Sequence, residues 1–383
     1  MINEKICEWL LENADAPIRY RVARELLIDY KLAKKIENDL LENVSVQFWM
    51  NKLKPQNPPQ SNNMAHGSLD YFLENAMIKL TQLGLRAEFP RVADAARYYL
   101  EIMRNALLIK PFRKHCYCTG LDLIITSNML TLGGFKDDKA LQYMMGGLNE
   151  LYEFARKGDC DIYLSPEERD KLKGVPPNYI GRHFTRPDLY DEHGMCWPLL
   201  YDVIGLTKLY GLCGPETDKK IDTVIDFISN DDFHNTIPDG YGVLVTKGRT
   251  KYYSHGWDPK YPGWFGVDEY IQNSANRSAH GSKSTGFVPK LLFFAIFIAA
   301  YPAALKTQWF AALLSRLNKY KTEDGTFLFP KEWLVEKTGY AVLGNHMSFG
   351  ENRRKRNWLE IESTFYMQLL YQVAIKATLT LGG

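Results

Sequence analysis

Cysteine is scarce, with six residues in a chain of 383 (Cys7, Cys116, Cys118, Cys160, Cys196 and Cys213), so no disulfide framework is implied and reduced thiols are expected. Unbalanced charge is lacking too: a net charge of +2 gives no field of the kind that gathers nucleic acid, and nucleic acid is not an expected partner. The longest apolar run, Leu291 to Leu305, includes Tyr301 and Pro302 and ends at Lys306, short of the ~20 residues that cross a bilayer. No transmembrane segment is expected. The start, Met1 to Trp9, carries Glu4, Lys5 and Glu8 where a signal peptide needs an uninterrupted apolar stretch, which points to the cytoplasm. A Gly-rich phosphate loop, a Gly-x-Ser-x-Gly elbow and a His-Glu-x-x-His motif are all missing, and no cofactor or metal is implied.

What is present is a globular composition, 45% hydrophobic and 24% charged, enough for a sizeable core. Asp15 is a good N-cap with Pro17 tolerated in the first turn, and Ile18, Val22 and Leu26 mark one face of the helix that follows. A second helix starts near Ser45 and is closed by Pro55, Pro58 and Pro59, making residues 1–54 an N-terminal helical hairpin.

From His66 onward a unit recurs: a turn-forming lead-in, an apolar helix, a short Gly turn, then an amphipathic helix with more charge. One copy runs from His66 through Leu83-Gly84 to Leu100, and the next from Cys118 through Leu132-Gly133 to Leu148, their Leu-Gly turns 49 positions apart. Further copies start at Met195, near Thr285 and at Glu362. About six hairpins closing a ring are expected, all within one domain spanning 1–383. Two insertions, near 157–192 and 231–283, are rich in Pro, Gly, Tyr and charge. The second predicts a small β-hairpin, Val243 to Thr246 with Lys251 to Tyr253, and has the length and aromatic content of a lid.

This alternation at a period near 50, with Asp-Gly turns such as Asp324-Gly325 running to Trp333, resembles the squalene-hopene cyclase and protein prenyltransferase superfamily. The resemblance covers most of the chain in pattern. It implies an all-α fold, an α/α toroid whose inner helices line a central cavity, here with the β-hairpin inserted. The family's acid and diphosphate motifs are not matched: Asp137-Asp138 and Asp231-Asp232 lack a third Asp, and Asp159-Cys160-Asp161 has the wrong spacing for the zinc site.

In a toroid the N-termini of the inner helices open on one face, and the duplicated Ala-His-Gly-Ser tetrapeptide, at Ala65 to Ser68 and Ala279 to Ser282, precedes two of them. His66, His193 and His280, with His115 and His346, are thereby expected around one mouth, where helix dipoles favour an anion. Glu362, Asp70, Asp122, Asp191 and Asp202 are the candidate acids of the first inner-helix turns, with His193 beside them as a candidate catalytic base. Trp197, Tyr201, Trp257, Asp258 and Trp264 offer aromatic faces and an acid to a ligand, and Arg353 opens a basic run suited to an anion. The expected partner is a small molecule in the cavity. The first functional reading is a terpenoid cyclase-like or prenyltransferase-like enzyme acting on an isoprenoid or other small molecule. A glycoside hydrolase or lyase on an (α/α) barrel and a non-catalytic binding protein are the alternatives.

Overall fold

The structure is a computed structural model, and it describes residues 3–53, 65, 73–108, 117–173, 175, 177, 183–186, 189–191, 194–195, 198–230, 242–245, 252–255, 287–336 and 346–380. The chain is mostly helical. The N-terminal segment holds α1 (Glu4–Asn13), α2 (Ala16–Arg21), α3 (Tyr30–Glu42) and α4 (Val44–Leu53). Then follow α5 (Leu73–Gln82), α6 (Pro90–Leu108), α7 (Tyr117–Leu132), α8 (Asp138–Lys157), α9 (Pro166–Asp170), α10 (Leu200–Leu206) and α11 (Pro215–Ile228). The C-terminal part contributes α12 (Phe287–Ile298), α13 (Pro302–Leu305), α14 (Gln308–Asn318) and α15 (Trp358–Thr380).

Sequence separates two kinds of helix. In α3 only Ala33, Ile36 and Leu40 are buried, one stripe at helical spacing, and α8 and α11 repeat that pattern. By contrast α5 is buried at every residue from Leu73 to Thr81, and α15 is buried without interruption from Ile361 to Leu370. A helix buried all round needs neighbours all round, and these have them. α5 packs on α7, α7 on α10, α10 on α12 and α12 on α15; α15 packs on α1 and on the turn after α2, while α2, α3, α4 and α5 pack in succession.

The turns that end α5 and α7 share one geometry. Leu85 N donates to Leu80 O at 2.8 Å and Phe135 N to Leu130 O at 3.0 Å, closing each helix with a glycine at positive φ, Gly84 (93°) and Gly134 (80°). The structural equivalents are therefore Gly84 and Gly134, fifty residues apart, one more than the Leu-Gly pairs of the sequence suggest. Ala87 N donates to Gly133 O at 2.8 Å and ties one turn to the next.

After α2 the chain widens into a π-turn, Val22–Leu26, and then holds Ile28 at φ 57°, a left-handed conformation unfavourable for a β-branched residue. The strands are short. β1 (His183–Thr185) pairs in parallel with β4 (Gly242–Val245), β4 pairs antiparallel with β5 (Tyr252–His255), and β2 (Tyr190–Asp191) pairs antiparallel with β3 (Gly194–Met195). No helix among the described residues is long and apolar enough to cross a membrane.

Candidate functional site

Two polar constellations sit among these apolar helices, on either side of the segment Met347 to Phe349. The first is centred on Ser348. Its hydroxyl donates to Glu362 Oε1 at 2.5 Å, its backbone N–H donates to Glu336 Oε2 at 3.1 Å, and its carbonyl accepts from Lys79 Nζ at 2.5 Å. Three elements meet at one residue: α5 brings Lys79, α15 brings Glu362, and the connection before α15 brings Glu336 and Ser348.

The two carboxyls are driven apart. Glu362 is fully buried, and that burial outweighs Arg353, Ser348, Lys79 and the Phe349 N–H to raise its carboxyl to about 7. Oε1 accepts from Ser348, from Phe349 N at 2.9 Å and from Glu351 N at 3.3 Å, whereas Oε2 has no hydrogen-bond donor among the described residues and lies 3.7 Å from Arg353 Nη2. Three donors on Oε1 leave Oε2 as the place for the proton. Burial also acts against the charge of Glu336, but there Lys79 at 2.9 Å and His346 Nδ1 at 3.0 Å prevail and hold the carboxyl at about 2. Glu336 in turn orients the His346 ring, which is packed edge-on against Trp49 at 4.8 Å. Two carboxyls with opposite shifts around one residue suit an acid and a base. Beside them runs a polar cleft of about 770 Å³, lined among others by Asp15, Asp39, Glu42, Lys79, Glu336 and Arg353.

The second constellation closes an apolar cavity of about 180 Å³. Its wall is Ile78 from α5, Leu132 from α7, Leu292, Phe293 and Phe297 from α12, Tyr366, Leu369 and Val373 from α15, and Met347 with Phe349. Glu362 does not itself line this cavity but adjoins two residues that do: Tyr366 lies one turn further along α15, and the Phe349 N–H donates to Glu362 Oε1. Arg21, Glu25, Arg86 and Lys208 are its charged lining residues.

Glu362, His346, Arg353, Tyr201 and Asp202 are the sequence candidates whose side chains are described. The first three come together around Ser348. Arg353 lies over the Trp358 ring at 4.6 Å and donates to the Leu334 carbonyl, so much of its capacity holds the connection in place. Lys355 of the same run is also occupied, bonding Asp15 at 2.7 Å and Glu351 at 2.6 Å. Tyr201 is buried on α10 and donates to Glu74 Oε2 of α5 at 2.7 Å, a polar pair away from solvent. α15 begins at Trp358, a turn earlier than expected, so Glu362 is a second-turn residue clamping the 348–351 loop.

Asp202 accepts from the Leu199 N–H at 2.9 Å as a helix cap, and burial raises its carboxyl to about 7. Asp122 is on α7 and Asp191 in β2, but their side chains lie outside the described residues. His66, Asp70, His193, Trp197, Trp257, Asp258, Trp264 and His280 lie outside them as well, and with them the histidine mouth and the lid. Lys79, Glu336 and Ser348 are additions from the structure. A lysine inside the apolar stretch Leu73 to Leu85 was the one visible signal. Among the described residues no group of three or more His, Cys, Asp or Glu side chains is arranged to hold a metal. Comparison with protein-family models, curated proteins and solved structures finds no match.

Proposed function

We propose that the chain is an α/α-toroid enzyme, akin in architecture to terpenoid cyclases and prenyltransferases, that carries out proton transfer on an isoprenoid or other apolar small molecule. The closed succession of helix contacts from α5 through α15 and back by way of α2 to α4 supports the toroid. The observation that carries the functional reading is the nearness of an aromatic-lined cavity to Glu362, whose burial, outweighing the three donors on Oε1, raises its carboxyl to about 7. Phe293, Phe297, Phe349 and Tyr366 give the cavity π-faces suited to unsaturated hydrocarbon or developing positive charge.

A second reading, a carbohydrate-active hydrolase or lyase, is favoured by the polar cleft and by the ionised Glu336 exposed to it. One screen separates the two. The protein is incubated with a panel of isoprenoid alcohols and phosphates and, separately, with oligosaccharides. Isoprenoid turnover that E362Q abolishes, with binding retained, supports the first reading. Oligosaccharide cleavage abolished by E336Q replaces it with the second, and binding of isoprenoids without turnover reduces the protein to a carrier.

A further inference from the structure

The polar end of the apolar cavity has its own chemistry. Arg21 is buried and spends its guanidinium on Glu25, through Nε at 2.9 Å and Nη2 at 2.7 Å, and on the Gln82 carbonyl at 2.8 Å. That pair is self-compensating. Two further cations line the same cavity without such compensation. Arg86 reaches Glu25 only at 3.8 Å, and its buried Nε has no hydrogen-bond partner among the described residues. The Lys208 ammonium makes no hydrogen bond among the described residues, and burial together with Arg86 and Arg21 pushes it down to about 8 despite Glu25. Gln82 Oε1 beside them is likewise buried and unpartnered. Cations drawn together at the edge of an apolar chamber carry a desolvation cost, and Glu25, already gripped by Arg21, is the carboxylate among the described residues that acts on them.

We infer that Arg86 and Lys208 form the anion-binding end of this cavity, which takes an amphiphile with a single anionic head group, carboxylate or phosphate, on an apolar chain. The inference rests on the reading that the cavity holds an apolar small molecule. At about 10–15 Å³ for each water-sized group, the volume of about 180 Å³ holds roughly a dozen such groups, which suits a chain of medium length. The head group would take donors from Arg86 Nε and Lys208 Nζ, and a protonated head-group oxygen could donate to Gln82 Oε1. The chain would run along Phe293, Phe297 and Leu369.

Isothermal titration calorimetry with four probes, dodecanoate, dodecyl phosphate, dodecanol and inorganic phosphate, tests this on the full chain. Either or both dodecyl anions are expected to bind at least tenfold more tightly than dodecanol, as a charged hydrogen-bonding partner implies, and inorganic phosphate not to bind measurably. The two anion arms identify the head group. In Lys208→Met the anions should lose about tenfold while dodecanol is unchanged and the melting temperature is kept, because the Lys208 side chain makes no hydrogen bond among the described residues. Equal binding of dodecanol and the anions would overturn the head-group site and leave the cavity reading standing. Binding of none of the dodecyl probes would remove both. Tight binding of inorganic phosphate alone, or a large fall in melting temperature in Lys208→Met with unchanged affinity, would show that the chain does not matter or that the lysine is a structural cap.

Discussion

Glu362 shows how one side chain links folding to proton chemistry. Its carboxyl is raised from an ordinary 4.5 to about 7, so between those values the folded chain holds a proton that the unfolded chain has lost. Its contribution is then fully present below about pH 4.5 and is lost as pH rises toward 7. Glu25 and Glu336 behave in the opposite sense: each is held at about 2, so each contributes stability above pH 4.5 that is lost on acidification toward 2. Urea unfolding between pH 4.5 and 7 should therefore show a decline in the wild type, on the order of 3 kcal/mol from this group, that Glu362→Gln flattens. An unchanged slope in the variant would mean that Glu362 is ionised throughout. Ile28 offers a simpler residue-scale test. Its φ of 57° costs a β-branched side chain about 1–2 kcal/mol, and asparagine tolerates that region. Ile28 is about half exposed, so Ile28→Asn should raise the melting temperature by a few degrees; a fall would show that the side chain makes packing contacts worth more than the strain.

At the scale of elements, the difference between apolar and amphipathic helices could be read from the sequence because burial on one face or on all faces writes a different periodicity. α7 and α15 are recognisable as interior helices and α8 and α11 as exterior ones on that ground, whereas α5, which buries Glu74, Asn75 and Lys79 within an amphipathic pattern, is placed by the repeat and not by its own period. Boundaries were less legible. Trp358 opens α15 one turn ahead of Glu362, since a helix may start in a connection whose residues show no apolar period. The site was legible in part. Glu362, His346 and Arg353 stand out by type and position, whereas Glu336 gains its meaning only from Lys79 and His346, which no local pattern joins to it. The repeated turn yields a test of its own. Gly134 has φ 80° with ample room around it, so Gly134→Ala should cost about 1 kcal/mol through backbone strain alone. Gly133 is the tighter neighbour, where an added Cβ would lie 2.7 Å from Met77 Sδ. Gly133→Ala should cost more than Gly134→Ala in thermal unfolding, and the reverse order would mean that α5 and α7 are less closely packed than this geometry requires.

At the scale of the whole molecule, the N-terminal segment joins the first and last interior helices, and Arg21 is a residue that touches both. From α2 its guanidinium reaches the Gln82 carbonyl at the end of α5 and stands 5.1 Å from the Phe365 ring of α15 and 5.7 Å from that of Phe349, while Glu25 holds it in a bidentate grip. Removing one partner of a buried ion pair costs far more than replacing both, because the survivor keeps its desolvation penalty without its counter-charge. Arg21→Met is therefore expected to cost about 3–5 kcal/mol, and the double substitution Arg21→Met with Glu25→Gln less than Arg21→Met alone. Urea unfolding followed at once by circular dichroism and tryptophan fluorescence checks both points, since a single coincident transition shows that the segment and the interior helices unfold together. A cost below about 1 kcal/mol, with two separated transitions, would mean that the succession of helix contacts is open at α2 and that the cavity behind Phe349 is held by α5, α7, α10, α12 and α15 alone.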